Sequence, residues 1–110
     1  MPAGKSVREV VDFQGEPVRI TDERIRHVLD HPEMTGLESE IEGVLTAPDV
    51  VIRSRADPDV RLCCRFLRGT AVGDKHLCVA VKSAPGGAFM LTAYLTNRPK
   101  RGEVLWRSER

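Results

Sequence analysis

His27, Lys82, Thr92 and Tyr94 bring together a proton-transfer group, a fixed ammonium, an aliphatic hydroxyl and a phenol, and the spacing of the last three gathers them on one surface. Residues 75–83 and 88–96 each alternate apolar and polar positions around the turn Ala84-Pro85-Gly86-Gly87, the pattern of a β-hairpin. Successive side chains of a strand point to opposite faces, so Lys82, Thr92 and Tyr94 share one face in any plausible register. Arg53 and Arg65 reach that face from neighbouring segments. Such groups meet the needs of metal-independent RNA cleavage. The ribose 2′-OH loses its proton as its oxygen bonds to the adjacent phosphorus, the P–O5′ bond breaks, and the departing oxygen takes up a proton. His27 would serve as the acid or base near neutral pH. Lys82 and Arg53 would stabilise the developing charge, an effect of about 3 kcal/mol per well-placed donor. Thr92 and Tyr94 would orient the scissile group, and Arg53, Arg55, Arg65 and Thr96 would bind substrate.

The strands that must position these groups are read from the second half of the chain. Val50 and Ile52; Val60, Leu62, Cys64 and Phe66; Leu77, Val79 and Val81; and Phe89, Leu91, Ala93 and Leu95 form the apolar sets. Arg53 and Arg55, Arg61 and Arg65, His76 and Lys82, and Thr92, Tyr94 and Thr96 form the opposite sets. No carboxylate interrupts the polar sets, which predicts an anion-binding face. Breaks at Asp57-Pro58-Asp59, at residues 68–74 and at residues 84–87 are short and turn-rich, favouring antiparallel neighbours.

Ahead of the sheet, residues 10–13 and 17–20 flank Gln14-Gly15-Glu16 as a β-turn-β element. Thr21 is an N-cap, Asp22 and Glu23 suit the positive helix end, and Pro32 stops the helix near His31. Ile25, Val28 and Leu29 form its buried stripe, leaving Arg24, His27 and His31 together on the other side. His31, beside Pro32, suits capping of the helix end. Thr35 and Glu38 suggest a capping box for a second helix with Leu37, Ile41, Val44 and Leu45 inward. The predicted fold is α+β: two N-terminal helices on one face of a four-stranded antiparallel sheet, or five-stranded if the segment around Trp106 adds an edge. A single domain of 110 residues is expected, with residues 1–8 a loose arm, 9–47 the β-turn and helices, and 48–110 the sheet and tail.

Charge is polarised along the chain. Through Asp49 there are 5 Lys/Arg against 11 Asp/Glu, and from Val50 onward 12 against 5, although the net charge is only +1. That asymmetry suits a polyanionic partner. Cys63, Cys64 and Cys78 lack zinc spacing and cannot all pair, which suits small core residues in a reducing cytoplasm. No apolar run is long enough to span a bilayer, and the start has no signal-peptide core. His27 and His31 at i, i+4 lack a third ligand, so no metal and no other cofactor is expected.

The runs ITDERIRHVLDHPEM, TAPDVVIRSR, DPDVRLCCRF, KHLCVAVK and FMLTAYLTNR, in that order, resemble the phage-associated branch of the barnase/EndoU/colicin/RelE-like (BECR-fold) nucleases, over about residues 10–106. The resemblance implies a helical N-terminal part on an antiparallel sheet and a toxin-like, metal-independent endoribonuclease leaving 2′,3′-cyclic phosphate. It matches His27 to the helix histidine, Lys82 to the strand lysine, Thr92 and Tyr94 to the hydroxyl pair, and Arg53 or Arg55 to a phosphate-binding position. RNA is then the partner, with a cognate inhibitor protein as a second one, and the chain a monomer or an edge-paired homodimer. The competing reading uses the same cationic face without catalysis: an RNA- or protein-binding module that needs no histidine.

Overall fold

The computed structural model describes residues 7–109. Strands Val7–Val11 (β1) and Pro17–Thr21 (β2) form an antiparallel hairpin whose turn is held by Asp12, Oδ1 accepting from the backbone N–H groups of Gln14 and Glu16 at 2.9 Å each. Thr21 caps helix Asp22–Leu29 (α1), Oγ1 accepting from the Arg24 N–H at 3.2 Å. Asp30 follows as its C-cap, and Pro32 opens a separate 3-10 turn, Pro32–Met34. His31 stands as the N-cap of that turn and makes no side-chain bond to it. Helix Glu38–Thr46 (α2) starts behind Leu37 without a side-chain cap, so the capping box expected at Thr35 does not form. Strands Val50–Arg53 (β3), Val60–Thr70 (β4), Gly73–Ala84 (β5), Gly87–Thr96 (β6) and Val104–Arg107 (β7) complete the chain.

Among the described residues the strands make one seven-stranded mixed sheet, ordered β1-β2-β6-β5-β4-β3-β7. All neighbours are antiparallel except β2 and β6, which run parallel. The predicted two helices on a four- or five-stranded antiparallel sheet is therefore wrong. The N-terminal hairpin joins the sheet through a short parallel pairing, Val18 with Ala88 and Arg19 with Phe89, which local patterning cannot foreshadow. Strand β7 pairs with β3 rather than with β6, its neighbour in sequence.

Both helices lie on one face. Ile25 and Val28 of α1 and Ile41, Val44 and Leu45 of α2 share a buried cluster with Val51, Cys63, Leu77, Val79, Val81, Met90 and Ala93. The other face has a core of its own: Ile52, Val60, Leu62, Cys64, Cys78 and Ala80, with Leu91 and Tyr94 packed against it. What covers this second cluster follows from the topology. The segment 97–103 leaves β6 and must cross β5, β4 and β3 to reach β7. Along the way Lys100 lies over the Tyr94 ring and Gly102 presses on Ile52, so the segment is a strap across the face away from the helices.

That arrangement corrects the predicted division of the strands. The alternating apolar sets of β3 and β4 face the strap rather than the helices, while Arg61 and Arg65 stand on the helix face beside Val81 and Leu77. In β6 a one-residue bulge falls between the pairs Val81–Met90 and Ala80–Thr92. It reverses the phase, so Phe89 shares a face with Thr92 and Tyr94 although the simple alternation puts it opposite.

Arg61 on the helix face is neutralised by the β1–β2 turn. Its Nη2 donates to Glu16 Oε1 at 2.7 Å and to Asp12 Oδ2 at 3.2 Å, and its Nη1 to Ser83 Oγ at 3.0 Å. Only 1% of the Asp12 side chain and 12% of that of Arg61 are exposed. The same turn donates the Phe13 N–H to the Leu45 carbonyl at 2.9 Å and stacks Phe13 against Trp106 of β7, ring centroids 4.8 Å apart.

Two stability outcomes are expected in denaturant unfolding. Asp12→Ala leaves a buried guanidinium short of its counter-charge and should cost about 3–5 kcal/mol. Gly102→Ala places a methyl 2.3 Å from the Arg53 carbonyl oxygen and 2.7 Å from Ile52 Cγ2. It should cost about 1–3 kcal/mol by lifting the strap. Unchanged midpoints would contradict the packing described.

Candidate nucleic-acid interface

Cross-strand pairing lays side chains in rows over the strap-side face. One row runs Val60–Lys82–Phe89–Arg19–Glu9, from β4 through β5, β6 and β2 to β1. The next rows hold Leu62–Ala80–Thr92, then Cys64–Cys78–Tyr94, then Phe66–His76–Thr96. Lys82, Thr92, Tyr94 and Thr96 thus share one face, as their spacing predicts.

Lys82 is the most constrained of them. Its Nζ donates to Asp57 Oδ2 at 2.9 Å, from the β3–β4 loop. The hydrogen bond and charge of Asp57 raise the lysine above its ordinary value, and the same bond holds the Asp57 carboxyl below its own. Lys82 is therefore a permanent cation suited to charge stabilisation, not to proton transfer. Its side chain is 36% exposed, and a pair so exposed is screened by solvent and weak, so a phosphate can displace Asp57 at small cost.

Tyr94 presents a different chemistry. Its hydroxyl is buried without a hydrogen-bond partner among the described residues. Burial pushes its pKa up to about 12, so the phenol stays neutral. Lys100 of the strap lies 5.6 Å from the ring centroid, in cation–π range. Thr96 acts on its own backbone. Its Oγ1 donates to the Arg98 carbonyl at 3.0 Å and accepts the Arg98 N–H at 3.3 Å, turning the chain into the strap.

The remaining predicted residues scatter. Arg53 is tied to Glu103 Oε1 at 3.0 Å and to the Pro58 carbonyl at 3.0 Å. Arg55 is exposed in the β3–β4 loop, and Arg65 is half-buried on the helix face. Neither joins Lys82, Thr92 and Tyr94. His27 is exposed on α1, one turn beyond Arg24. Helix α1 runs beside β6 where β2 has ended, and the Arg24 Nη1 donates to the Leu91 carbonyl at 3.3 Å. Arg24 therefore borders β6 at the bulge, next in sequence to Thr92, with His27 one turn further along the helix.

Sequence reasoning misses Arg19, Arg24 and Phe89, and it puts His76 on the polar face but leaves it out of the site. Arg19 lies on a β-turn-β element that local patterning leaves apart from the sheet, Arg24 looks like a solvated helix residue, and simple alternation gives Phe89 the opposite phase. His76 pairs with Thr96 and meets the Phe66 ring edge-on, centroids 5.1 Å apart, making it the histidine of the strands' own face. Arg19, Thr21, Glu23, Arg24 and Phe89 line a depression of about 330 Å3 together with Val7 and Met90.

Cys63, Cys64 and Cys78 are free and buried. Burial raises the Cys63 thiol to about 12, and the hydrogen bond with Cys78, then burial, raises Cys64. These thiols are poor nucleophiles. Among the described residues no group of three or more His, Cys, Asp and Glu could hold a metal ion, and no helix is long and apolar enough to cross a membrane.

Comparison with protein-family models, with curated proteins and with solved structures finds no match to this chain.

Tyr94 is the only tyrosine, which makes its titration readable. Tyrosinate absorbance of the folded protein should rise with a midpoint near 12 rather than at the ordinary 10.0. Because the folded value is raised, the stabilisation is fully present below pH 10 and is lost as pH climbs through about 12. A native midpoint at the ordinary value would mean that the hydroxyl is solvated.

Proposed function

We propose that this chain is a metal-independent endoribonuclease, toxin-like and working in the cytoplasm, of the phage-associated kind that its sequence runs resemble. The observation that carries the reading is the gathering of Lys82, Arg19, Arg24, Thr92 and Tyr94 at one end of an otherwise apolar face, beside the helix that bears His27. His27 accepts the 2′-OH proton as that oxygen bonds to phosphorus. The P–O5′ bond then breaks, and an imidazolium returns the proton to the 5′-oxygen, leaving a 2′,3′-cyclic phosphate. Lys82 holds a non-bridging phosphate oxygen in place of Asp57, the Thr92 hydroxyl donates to the phosphorane, and the buried, neutral phenol of Tyr94 forms the dry wall beside it. RNA is the partner in this reading, and a cognate inhibitor would cover the same cations.

A second reading, a non-catalytic RNA-binding module, is favoured by one observation. Among the described residues no histidine is hydrogen-bonded to Lys82, Thr92 or Tyr94.

The test is incubation of purified protein with total RNA in excess EDTA, with product ends mapped. Cleavage to cyclic phosphate ends is expected. His27→Ala should slow it by about a hundredfold or more, Lys82→Ala by about a hundredfold with the fold intact, and His76→Ala little. Intact RNA with the wild-type protein would favour the binding module. Loss in His76→Ala with activity kept in His27→Ala would transfer proton transfer to the strand histidine.

A further inference from the structure

The depression beside α1 carries a second assignment. Arg19 and Arg24 line it from β2 and from the first turn of α1, with Phe89 of β6 beside them. Among the described residues neither arginine is in an ion pair, although six ion pairs tie other cations of the chain. The Nε of Arg19 is buried and has no hydrogen-bond partner among the described residues. A buried guanidinium donor without an acceptor carries a desolvation cost that an incoming anion would relieve. Arg19 and Phe89 are direct cross-strand partners on one face, so the guanidinium and the ring stand side by side.

The chemistry is specific. Paired guanidiniums recognise a phosphate through forked, charge-assisted hydrogen bonds. A half-buried aromatic ring beside them offers a stacking surface for a base. Glu23, on the same rim, can accept from a ribose hydroxyl or a base amine. At about 330 Å3 the space is of the size that takes a small ligand. Lys82 stands on the far side of Phe89 in the same row, so a chain of nucleotides passing from this depression would reach the lysine after one strand.

We propose that this depression is a nucleotide subsite for single-stranded RNA, in which Arg19 and Arg24 clamp one backbone phosphate and Phe89 stacks the adjoining base. It deepens the ribonuclease reading, on which its biological use rests, by naming what holds the strand next to the scissile bond. Arg19, Arg24 and Phe89 are binding groups here and take no part in proton transfer.

The probe is a fluorescently labelled all-deoxy tetranucleotide, which lacks the 2′-OH and cannot be cleaved by this chemistry. Its binding is followed by anisotropy, in parallel with RNA cleavage kinetics. Wild-type binding is expected to weaken with salt, and Arg19→Ala and Arg24→Ala should each weaken it by about tenfold and flatten the salt dependence. Phe89→Leu should weaken it by about tenfold without changing the salt slope. Arg24→Lys keeps the charge and loses the fork, so intermediate binding is expected. In cleavage, the three truncations should raise KM far more than they lower kcat. If a variant does not fold, backbone amide shifts of the wild-type protein on adding the tetranucleotide decide: shifts at Arg19, Thr21 and Phe89 support the subsite, and shifts confined elsewhere overturn it. Binding that survives all three truncations overturns the subsite even if RNA is cleaved. Binding that depends on them, with no RNA cleavage, leaves the subsite standing and removes the nuclease reading.

Discussion

Arg61 is the constraint on which the remaining architecture depends. A central strand puts a guanidinium on the face that the helices cover, and the sheet cannot be buried there unless that charge is met. The counter-charge comes from the opposite side of the sheet order, where the turn between β1 and β2 offers Asp12 and Glu16. To reach Arg61, the edge hairpin must lean across the helix face, and the same turn then touches α2 at Leu45 and β7 at Trp106. One ion-pair network thereby ties an outer strand, a central strand, a helix and the far edge together. It does not satisfy every donor, since Arg61 Nε has no partner among the described residues. A buried pair of this kind gives less net stability than its contacts suggest, but it discriminates strongly against arrangements that leave it unpaired.

The hairpin's position has a chemical consequence. Because it leans over the sheet, β2 stays beside β6 only at Val18–Ala88 and Arg19–Phe89, then turns into α1. Strand β6 loses its neighbour halfway along, and α1 takes that place with Arg24 satisfying the Leu91 carbonyl. The bulge at Leu91 lies at the same point. Upstream of it Phe89 faces Arg19 and Lys82, and downstream of it Thr92 and Tyr94 take the same face. Without the extra residue, either the ring or the two hydroxyls would point into the helix-side core. The cation-rich end of the face is thus a product of one irregularity and one truncated strand pairing.

How much of this was legible in the sequence depends on the range of the interaction concerned. The cap at Thr21, the turn through Gln14-Gly15-Glu16 and the grouping of Lys82, Thr92, Tyr94 and Thr96 on one face follow from local rules, and all are present. The strand count and the parallel pair were not legible, because they join residues about 70 apart through only two register positions. The inward face of β4 misled for a different reason. Arg61-Leu62-Cys63-Cys64-Arg65 is apolar at consecutive positions, so alternation allows either phase, and the arginines decide for the helix side only because Asp12 and Glu16 wait there. A second apolar face is hidden for the same cause: the strap that covers it is polar and rich in Arg and Lys, and shows no hydrophobic period.

The strap also explains why the strap-side face divides into two parts with different chemistry. Where residues 97–103 cross, the face is dry, with Cys64 and Cys78 wholly buried and the Tyr94 hydroxyl cut off from water. Beyond it, toward Lys82 and Arg19, the face opens. Tyr94 stands at the boundary, its ring under Lys100 and its row next to that of Thr92. Electrostatic interactions strengthen as water is excluded, so an anion on the open side gains most when it sits against this dry edge. Lys82 remains charged under Asp57's influence while the phenol remains neutral under burial. Lys82 therefore offers a phosphate a charged donor against the dry wall that Tyr94 forms, and neither group has to change protonation for the anion to bind.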